Sequence, residues 1–230
     1  MYLAKPGLNK MPPRVILWGG TGQAKVVRPI VEHYGSKVVA VFDDTPALSS
    51  PFGDVPIYCG RAEFLKWIEG QDRSKIGFCC AIGNPHGRAR LRIDAFLLSR
   101  GLTPITIAHP TAWIDDTVVI GAGSQIMAGS LIMAEARLGR QCIINTNASV
   151  DHEGVLEDGV EVAPGATLCG LVTAGVNAWI CAGATVLPRI RIGADAIVGA
   201  GAVITKDVPD GATVIGLRAK VLQRSKEEPR

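Results

Sequence analysis

Aromatic residues are scarce. Phe, Trp and Tyr together make up 5% of the 230 residues. A helical bundle built on large side-chain anchors is therefore disfavoured. The 27 glycines and abundant alanines point instead to closely packed backbone carrying small side chains. No apolar run approaches ~20 residues, which argues against a transmembrane helix. The opening "MYLAKPGLNKMPPR" is basic but has no apolar core, so it does not read as a secretory signal; residues 1–13 read as a loose leader. Six cysteines (Cys59, Cys79, Cys80, Cys142, Cys169, Cys181) form no C-x-x-C pair and have no histidine at zinc-ligand spacing. They are expected to be buried, reduced thiols in a cytoplasmic protein, with no metal site.

Charge of one sign is not dominant either, but it is unevenly placed. Residues 1–113 carry 14 Lys/Arg against 8 Asp/Glu, and residues 114–209 carry 5 against 10. This asymmetry marks two domains. An excess of +6 over 113 residues tolerates phosphates but makes no nucleic-acid patch.

What the chain has in quantity is a period of six. From Ile114 the sequence divides into sixteen blocks whose first residues run Ile114, Ile120, Ile126, Ile132, Leu138, Ile144 and onward to Ile204. Fifteen of these are Ile, Leu or Val, and Ala174 is the weak member. The second place is often glycine (Gly121, Gly139, Gly193), and the fifth is small or aliphatic throughout (Val118, Ala148, Ala184). Six fits neither the 3.6-residue helix nor a two-stranded meander. It fits a left-handed parallel β-helix of hexapeptide repeats, three blocks to an 18-residue coil and a little over five coils. Such a solenoid is only a scaffold. Its exposed positions are irregular here, unlike the repeated face of a structural rod, so a site grafted onto the coils is expected.

Upstream, "RVILWGGTGQAKVVRPIVEHYG" reads as strand, glycine turn and helix, followed by the strand "KVVAVFDD", the short helix "EFLKWIEG", the strand "KIGFCCAIGNP" and the helix "GRARLRIDAFLLSRG". This alternation predicts a small Rossmann-like α/β domain over residues 14–108, before a β-helix over 109–217 and a polar tail at 218–230. Gly20 and Gly22 fit the first two glycines of G-x-G-x-x-G, but Lys25 takes the third place. The turn can still bring backbone N–H groups close to a phosphate. Asp43 and Asp44 follow about 20 residues later, where a carboxylate commonly meets a ribose or base. A domain this short suits the nucleotide of a sugar nucleotide better than NAD.

Between Asn145 and Gly159 the stretch "NTNASVDHEGVLEDG" sets His152 between Asp151 and Glu153 without breaking the period. Gly170 follows 18 residues after His152, which places the two on adjacent coils at the same corner.

With "GGTGQAKVV", "VFDD", "AIGNP", "NTNASVDHEGVLEDGVEVAPGATLCG" and "VGAGAVITKDVPDGATVIG", nearly the whole chain after the leader resembles bacterial sugar acyltransferases that join a Rossmann-like domain to a left-handed β-helix. These include nucleotide-sugar N-acetyltransferases acting on 4-amino-4,6-dideoxy sugars and related sialic acid O-acetyltransferases. The resemblance implies a cytoplasmic homotrimer that uses acetyl-CoA, without a metal, in surface glycan or O-antigen biosynthesis. It implies His152 as catalytic base, Glu153 as the acid that raises its basicity, and Gly170 as a backbone donor to the thioester oxygen. It assigns Gly170, Ala182 and Ala200 to the acetyl-CoA groove. Glu161 stands where some relatives carry a cofactor-touching histidine. It assigns Gly20, Thr21, Gly22, Gln23, Asp43, Asp44, Gly83 and Asn145 to the sugar nucleotide. Gln23 departs from the family's usual histidine. His86 is a further candidate for substrate contact, while His33 and His109 read as structural. The implied activity is N-acetylation of a nucleotide-linked amino sugar. Alternatives are O-acetylation of sialic acid or another sugar, and a non-catalytic trimeric scaffold or binding protein.

Overall fold

The computed structural model describes residue 8, residues 11–83 and residues 85–216. The expected tail at 218–230 and most of the expected leader lie outside the described residues. Residues 11–13 pack onto the N-terminal domain: the Pro12 carbonyl accepts from Ser36 Oγ at 2.8 Å and the Pro13 carbonyl from Lys37 N at 3.0 Å.

This domain runs β1 (Arg14–Trp18), α1 (Gly22–His33), β2 (Lys37–Asp43), β3 (Ile57–Cys59), α2 (Gly60–Ile68), β4 (Ile76–Cys80), α3 (Gly87–Leu98) and β5 (Thr103–Pro104). The five strands pair in parallel in the order β3-β2-β1-β4-β5. Alternate side chains of β1 go to opposite faces, as a two-residue period requires. Val15 and Leu17 pack with Val27 and Val31 of α1, and Ile16 and Trp18 pack with Phe64 and Phe78 on the other side. Most of the aromatics collect on that second side: Trp18 stacks on Phe42 at 5.6 Å between ring centroids, Phe42 meets Phe64 at 5.2 Å, and Phe64 meets Phe96 at 5.5 Å. Their scarcity in the whole chain is thereby accounted for, because the interior core of the other domain is filled without them.

That other domain is a left-handed β-helix of two-residue strands stacked into three parallel sheets of seven, six and five strands. The first face runs from Ile107–Ala108 to Thr213–Val214, the second from Trp113–Ile114 to Val203–Ile204, and the third from Val119–Ile120 to Arg191–Ile192. Strands pair at the 18-residue interval read from the sequence, for example Ile132 with Val150 and Val150 with Leu168. The block leaders point inward. Ile126, Ile144, Val162, Ile180 and Val198 are buried, and so is Ala174. Two limits of the period emerge. The stack begins one strand earlier than Ile114, at Ile107–Ala108. The last block does not complete: Val208, not residue 210, bridges to Ile192, and Thr213–Val214 pairs with Ile197–Val198 two residues early. Asp210 cannot go inward; its carboxylate accepts from Ala194 N and Arg191 instead.

The N-terminal domain docks on the first face. Met127 and Ile107 of the β-helix join the α1-side core. Gly87, at the start of α3, lies so close to the Gly159 carbonyl that a Cβ there has no room. The thiols do not all match the expectation. Cys79, Cys80, Cys142 and Cys181 are buried, but Cys59 is exposed and Cys169 half-buried, because Cys59 ends β3 at the surface just ahead of α2. No helix among the described residues is long and apolar enough to cross a membrane.

Candidate active site

His152 sits at the corner between the second and third faces, and the coil around it is regular. Val150 and Leu156 on either side remain buried. The chain turns this corner by placing the fourth residue of each block in the left-handed region: Glu135 at φ 61°, Glu153 at 57°, Leu171 at 65° and Arg189 at 66°. Glu153's unusual backbone is thus a property of the scaffold. It turns the Glu153 carboxylate toward the imidazole, with Oε1 3.2 Å from Nδ1 of His152. The backbone of His152 is pinned on both sides: its N–H donates to Asp151 Oδ1 at 2.7 Å and its carbonyl accepts from Leu171 N at 2.9 Å. The His152 and Glu153 side chains are 52% and 51% exposed, so the pair faces outward from the coil.

One coil on, Gly170 lies directly under the imidazole. A Cβ built on Gly170 would clash with Nε2, and would lie 2.6 Å from Cε1 and 3.0 Å from Cδ2. Only glycine leaves room for the ring. If Nδ1–H is donated to Glu153, Nε2 carries the lone pair, so the edge nearest Gly170 is the basic one.

A second site forms where the glycine turn meets the β-helix. A cavity of about 380 Å³ is lined by Gly19, Thr21, Gly22, Gln23, Asp43, Ala81, Ile82, Gly83 and His86 from the N-terminal domain, and by Asn145 and Glu161 from the β-helix. Asp43 holds the turn in shape: Oδ2 accepts from Gly20 N at 2.7 Å and Oδ1 from Thr45 N at 2.9 Å. Gly19 has φ 111°, donates to the Phe42 carbonyl at 2.7 Å, and lies too close to the Ala81 carbonyl for any side chain. Gly22 and Gly83 are different. A Cβ on either would meet no protein atom within 4 Å. Both line the cavity, so the room left by their missing side chains is open to a ligand.

The cavity's far wall depends on a residue with no signal in the sequence. Arg90 of α3 is fully buried. Its guanidinium donates to the carbonyls of Ile82 at 3.0 Å, Gln141 at 3.0 Å and Gly159 at 2.8 Å, and pairs with Glu161 at 3.3 Å. Burial pulls the Arg90 guanidinium below its usual range, and Glu161 is the largest influence opposing that. Gln125, also fully buried, is the second unforeseen residue: it bonds both Gln23 and the Cys80 carbonyl.

The expected site residues fall into separate places in one chain. His152, Glu153 and Gly170 come together. Thr21, Gly22, Gln23, Asp43, Gly83, Asn145 and Glu161 share the cavity with His86, while Gly20 is clamped just behind it. Glu161, expected beside the acetyl donor, faces this cavity and is tied to Arg90. Asn145 lines the cavity too, its Oδ1 accepting from Thr146 N at 2.8 Å. Asp44 does not line it and lies beside Gly60. Ala182 and Ala200 are exposed and stack through the Gly201 N–H to Ala182 carbonyl bond of 2.9 Å, at the corner between the first and second faces. That is not the corner of His152.

The family model of the PglD N-terminal domain matches residues 14–92. A GDP-perosamine N-acetyltransferase of Escherichia coli O157:H7 is 38% identical over 103 residues, 45% of this chain and 46% of that protein, so the chain aligns with about half the length of this curated relative. Among solved structures, GDP-perosamine N-acetyltransferase from Caulobacter crescentus, with one histidine replaced by alanine and in complex with CoA and GDP-perosamine, superposes with a TM-score of 0.80. It is 33% identical, and the match covers 91% of this chain and 97% of that one. The acetyltransferase domain of PglB from Neisseria gonorrhoeae, in complex with acetyl coenzyme A, superposes with a TM-score of 0.79 at 27% identity, covering 92% of this chain and all of that one. With a PglD-type domain docked on a β-helix that carries a histidine over a glycine, the chain belongs to the hexapeptide-repeat family of sugar N-acetyltransferases.

Proposed function

We propose that the protein transfers the acetyl group of acetyl-CoA to the amino group of a nucleotide-linked 4-amino-4,6-dideoxy sugar, with His152 as general base. The observation that carries this reading is the imidazole held against Gly170, with Nδ1 facing Glu153. The reaction needs an uncharged amine, a base for its proton and a donor for the oxyanion. The amine nitrogen attacks the thioester carbon while His152 Nε2 takes its proton. The C–S bond then breaks, and the imidazolium returns the proton to the CoA thiolate. The Gly170 N–H supplies the oxyanion donor; among the described residues none accepts from it. Among the described residues no Cys or Ser is hydrogen-bonded to a histidine, which favours direct attack over an acyl-enzyme.

The nucleotide part of the acceptor occupies the cavity, with Gly22 and Gly83 leaving room for it and first-turn amides of α1 nearby. CoA and GDP-perosamine in the Caulobacter relative support both halves of this assignment. The cavity opens beside the first face, whereas His152 stands at the corner beyond the second. A homotrimer reconciles them, with one copy's His152 corner beside its neighbour's cavity and with Ala182 and Ala200 lining the acetyl-CoA groove between copies. Such an enzyme serves cytoplasmic steps of surface glycan or O-antigen synthesis.

The test is thiol release from acetyl-CoA against a panel of GDP-, UDP- and dTDP-linked amino sugars and free sialic acid, with the mass in solution measured alongside. CoA release with an amino sugar and a trimer mass are expected. Release with sialic acid alone would replace the reading by O-acetylation, and a monomer at full activity would overturn the shared-site arrangement.

A further inference from the structure

The one departure from the family's glycine turn, Gln23, is explained by a chain of amides that crosses the domain interface. Gln125 lies on the first face of the β-helix and is fully buried. Its Nε2 donates to the Cys80 carbonyl at 2.9 Å, at the end of β4. A carbonyl only accepts, so this bond decides which end of the Gln125 amide is nitrogen. The other end, Oε1, must then be an acceptor, and Gln23 Nε2 donates to it at 2.9 Å. The orientation of the Gln23 amide is fixed in turn. Its nitrogen is engaged with the β-helix, and its oxygen is the polar atom left to a side chain that lines the cavity.

We infer that Gln125 is a positioning residue that locks the Gln23 amide with its oxygen toward the ligand, so that Gln23 reads a hydrogen-bond donor on the uncharged part of the nucleotide sugar. The donor is a hydroxyl or a base N–H. A phosphate oxygen offers no donor and is turned away from this position, leaving the diphosphate to the backbone of the glycine turn. Selection against a ligand lacking the donor is strong at such a place, because the fixed amide cannot rotate to offer its nitrogen. This inference rests on the nucleotide-sugar reading and names the residue pair that gives it specificity.

The experiment is steady-state kinetics with GDP-perosamine, or with whichever panel member gives the higher kcat/KM, on Gln125→Met, Gln23→Met, Gln23→Lys and the double Met variant. Each Met variant should raise the KM for the sugar nucleotide about tenfold, the worth of one ligand hydrogen bond, with kcat and the acetyl-CoA KM within about twofold. The double variant should be no worse than either single one, because both break the same link. Gln23→Lys is decisive: it can still donate to Gln125 but offers no acceptor, so its KM should rise as in the Met variants despite the added positive charge. A lowered KM for Gln23→Lys would show that this position faces phosphate and would overturn the inference. So would Met variants with wild-type KM, or with kcat and both KM values shifted together. If Gln125→Met does not fold, the two half-buried Gln23 substitutions decide alone. Wild-type protein that turns over no sugar nucleotide would remove the reading and the inference with it, whereas active wild type with unaffected variants removes only the inference.

Discussion

The imidazole of His152 packs against Gly170, one coil away, so closely that no side chain fits between them. Alanine at 170 would have to push the ring off its place. Gly170→Ala is expected to leave the β-helix folded, because the added methyl points out of the coil. It should lower kcat by a factor approaching that of His152→Ala, about 10²–10⁴ for loss of a general base. Comparing kcat with the thermal midpoint checks this. A Gly170→Ala enzyme with wild-type kcat would mean that the ring does not need its present seat.

Arg90 and Glu161 make a buried ion pair across the domain interface, and three carbonyls depend on the same guanidinium. Arg90→Met strips the nearly buried Glu161 carboxylate of its arginine. It should cost about 3–5 kcal/mol in a urea melt, the usual penalty for breaking a buried pair from one side. Arg90→Met combined with Glu161→Gln should recover part of that loss. If the double variant is the sum of the two singles, the pair is not the source of the effect.

Burial pushes the Cys79 and Cys142 thiols from 9.0 up to about 12, and raises Cys80 as well. Between pH 9 and 12 the folded protein therefore holds protons that the unfolded chain has released. Stability is then lost as pH rises through that window, by up to ~1.4 kcal/mol per pH unit for each such thiol. Unfolding midpoints measured from pH 8 to 11 should fall increasingly steeply above about 9. Cys142→Ala should make the descent shallower, and an unchanged slope in that variant would remove Cys142 as a cause.

Asp43 accepts two backbone N–H groups, from Gly20 in the glycine turn and from Thr45 in the loop after β2, and so ties the turn to the end of β2. Asp43→Ala should loosen the turn and raise the sugar-nucleotide KM about tenfold or more, since each lost hydrogen bond is worth ~1 kcal/mol. Asp43→Asn keeps one acceptor and should fall between the two. Equal KM values for all three proteins would show that the turn keeps its shape without the carboxylate.

The period of six made the β-helix legible down to which residues point inward, including the weak Ala174, because every coil repeats one local geometry. It also placed His152 beside Gly170, since 18 residues is one circuit of the same corner. The period failed only at the ends, where Asp210 could not enter the core and where Ile107–Ala108 precedes the first strong block. The N-terminal strands and helices were equally readable, apart from the short edge strands β3 and β5, too brief to show a pattern. Gln125 left one faint signal, a long polar side chain next to a block leader. Arg90 left none, because an arginine at the start of a helix looks solvated until the opposing surface is known.

By itself, the sequence determined the elements of each domain, since the helix pattern and the hexad are satisfied by neighbours along the chain or one coil away, and strand alternation needs only one buried face. Only the tertiary structure decided how the domains meet. Its choice put Asn145 and Glu161 opposite the glycine turn, buried Arg90 between them, and set the Gln23 amide through Gln125 and Cys80. These bonds join residues 45 or more positions apart, Arg90 to Ile82 excepted, and their geometry comes from the docking of two surfaces, which no local period encodes.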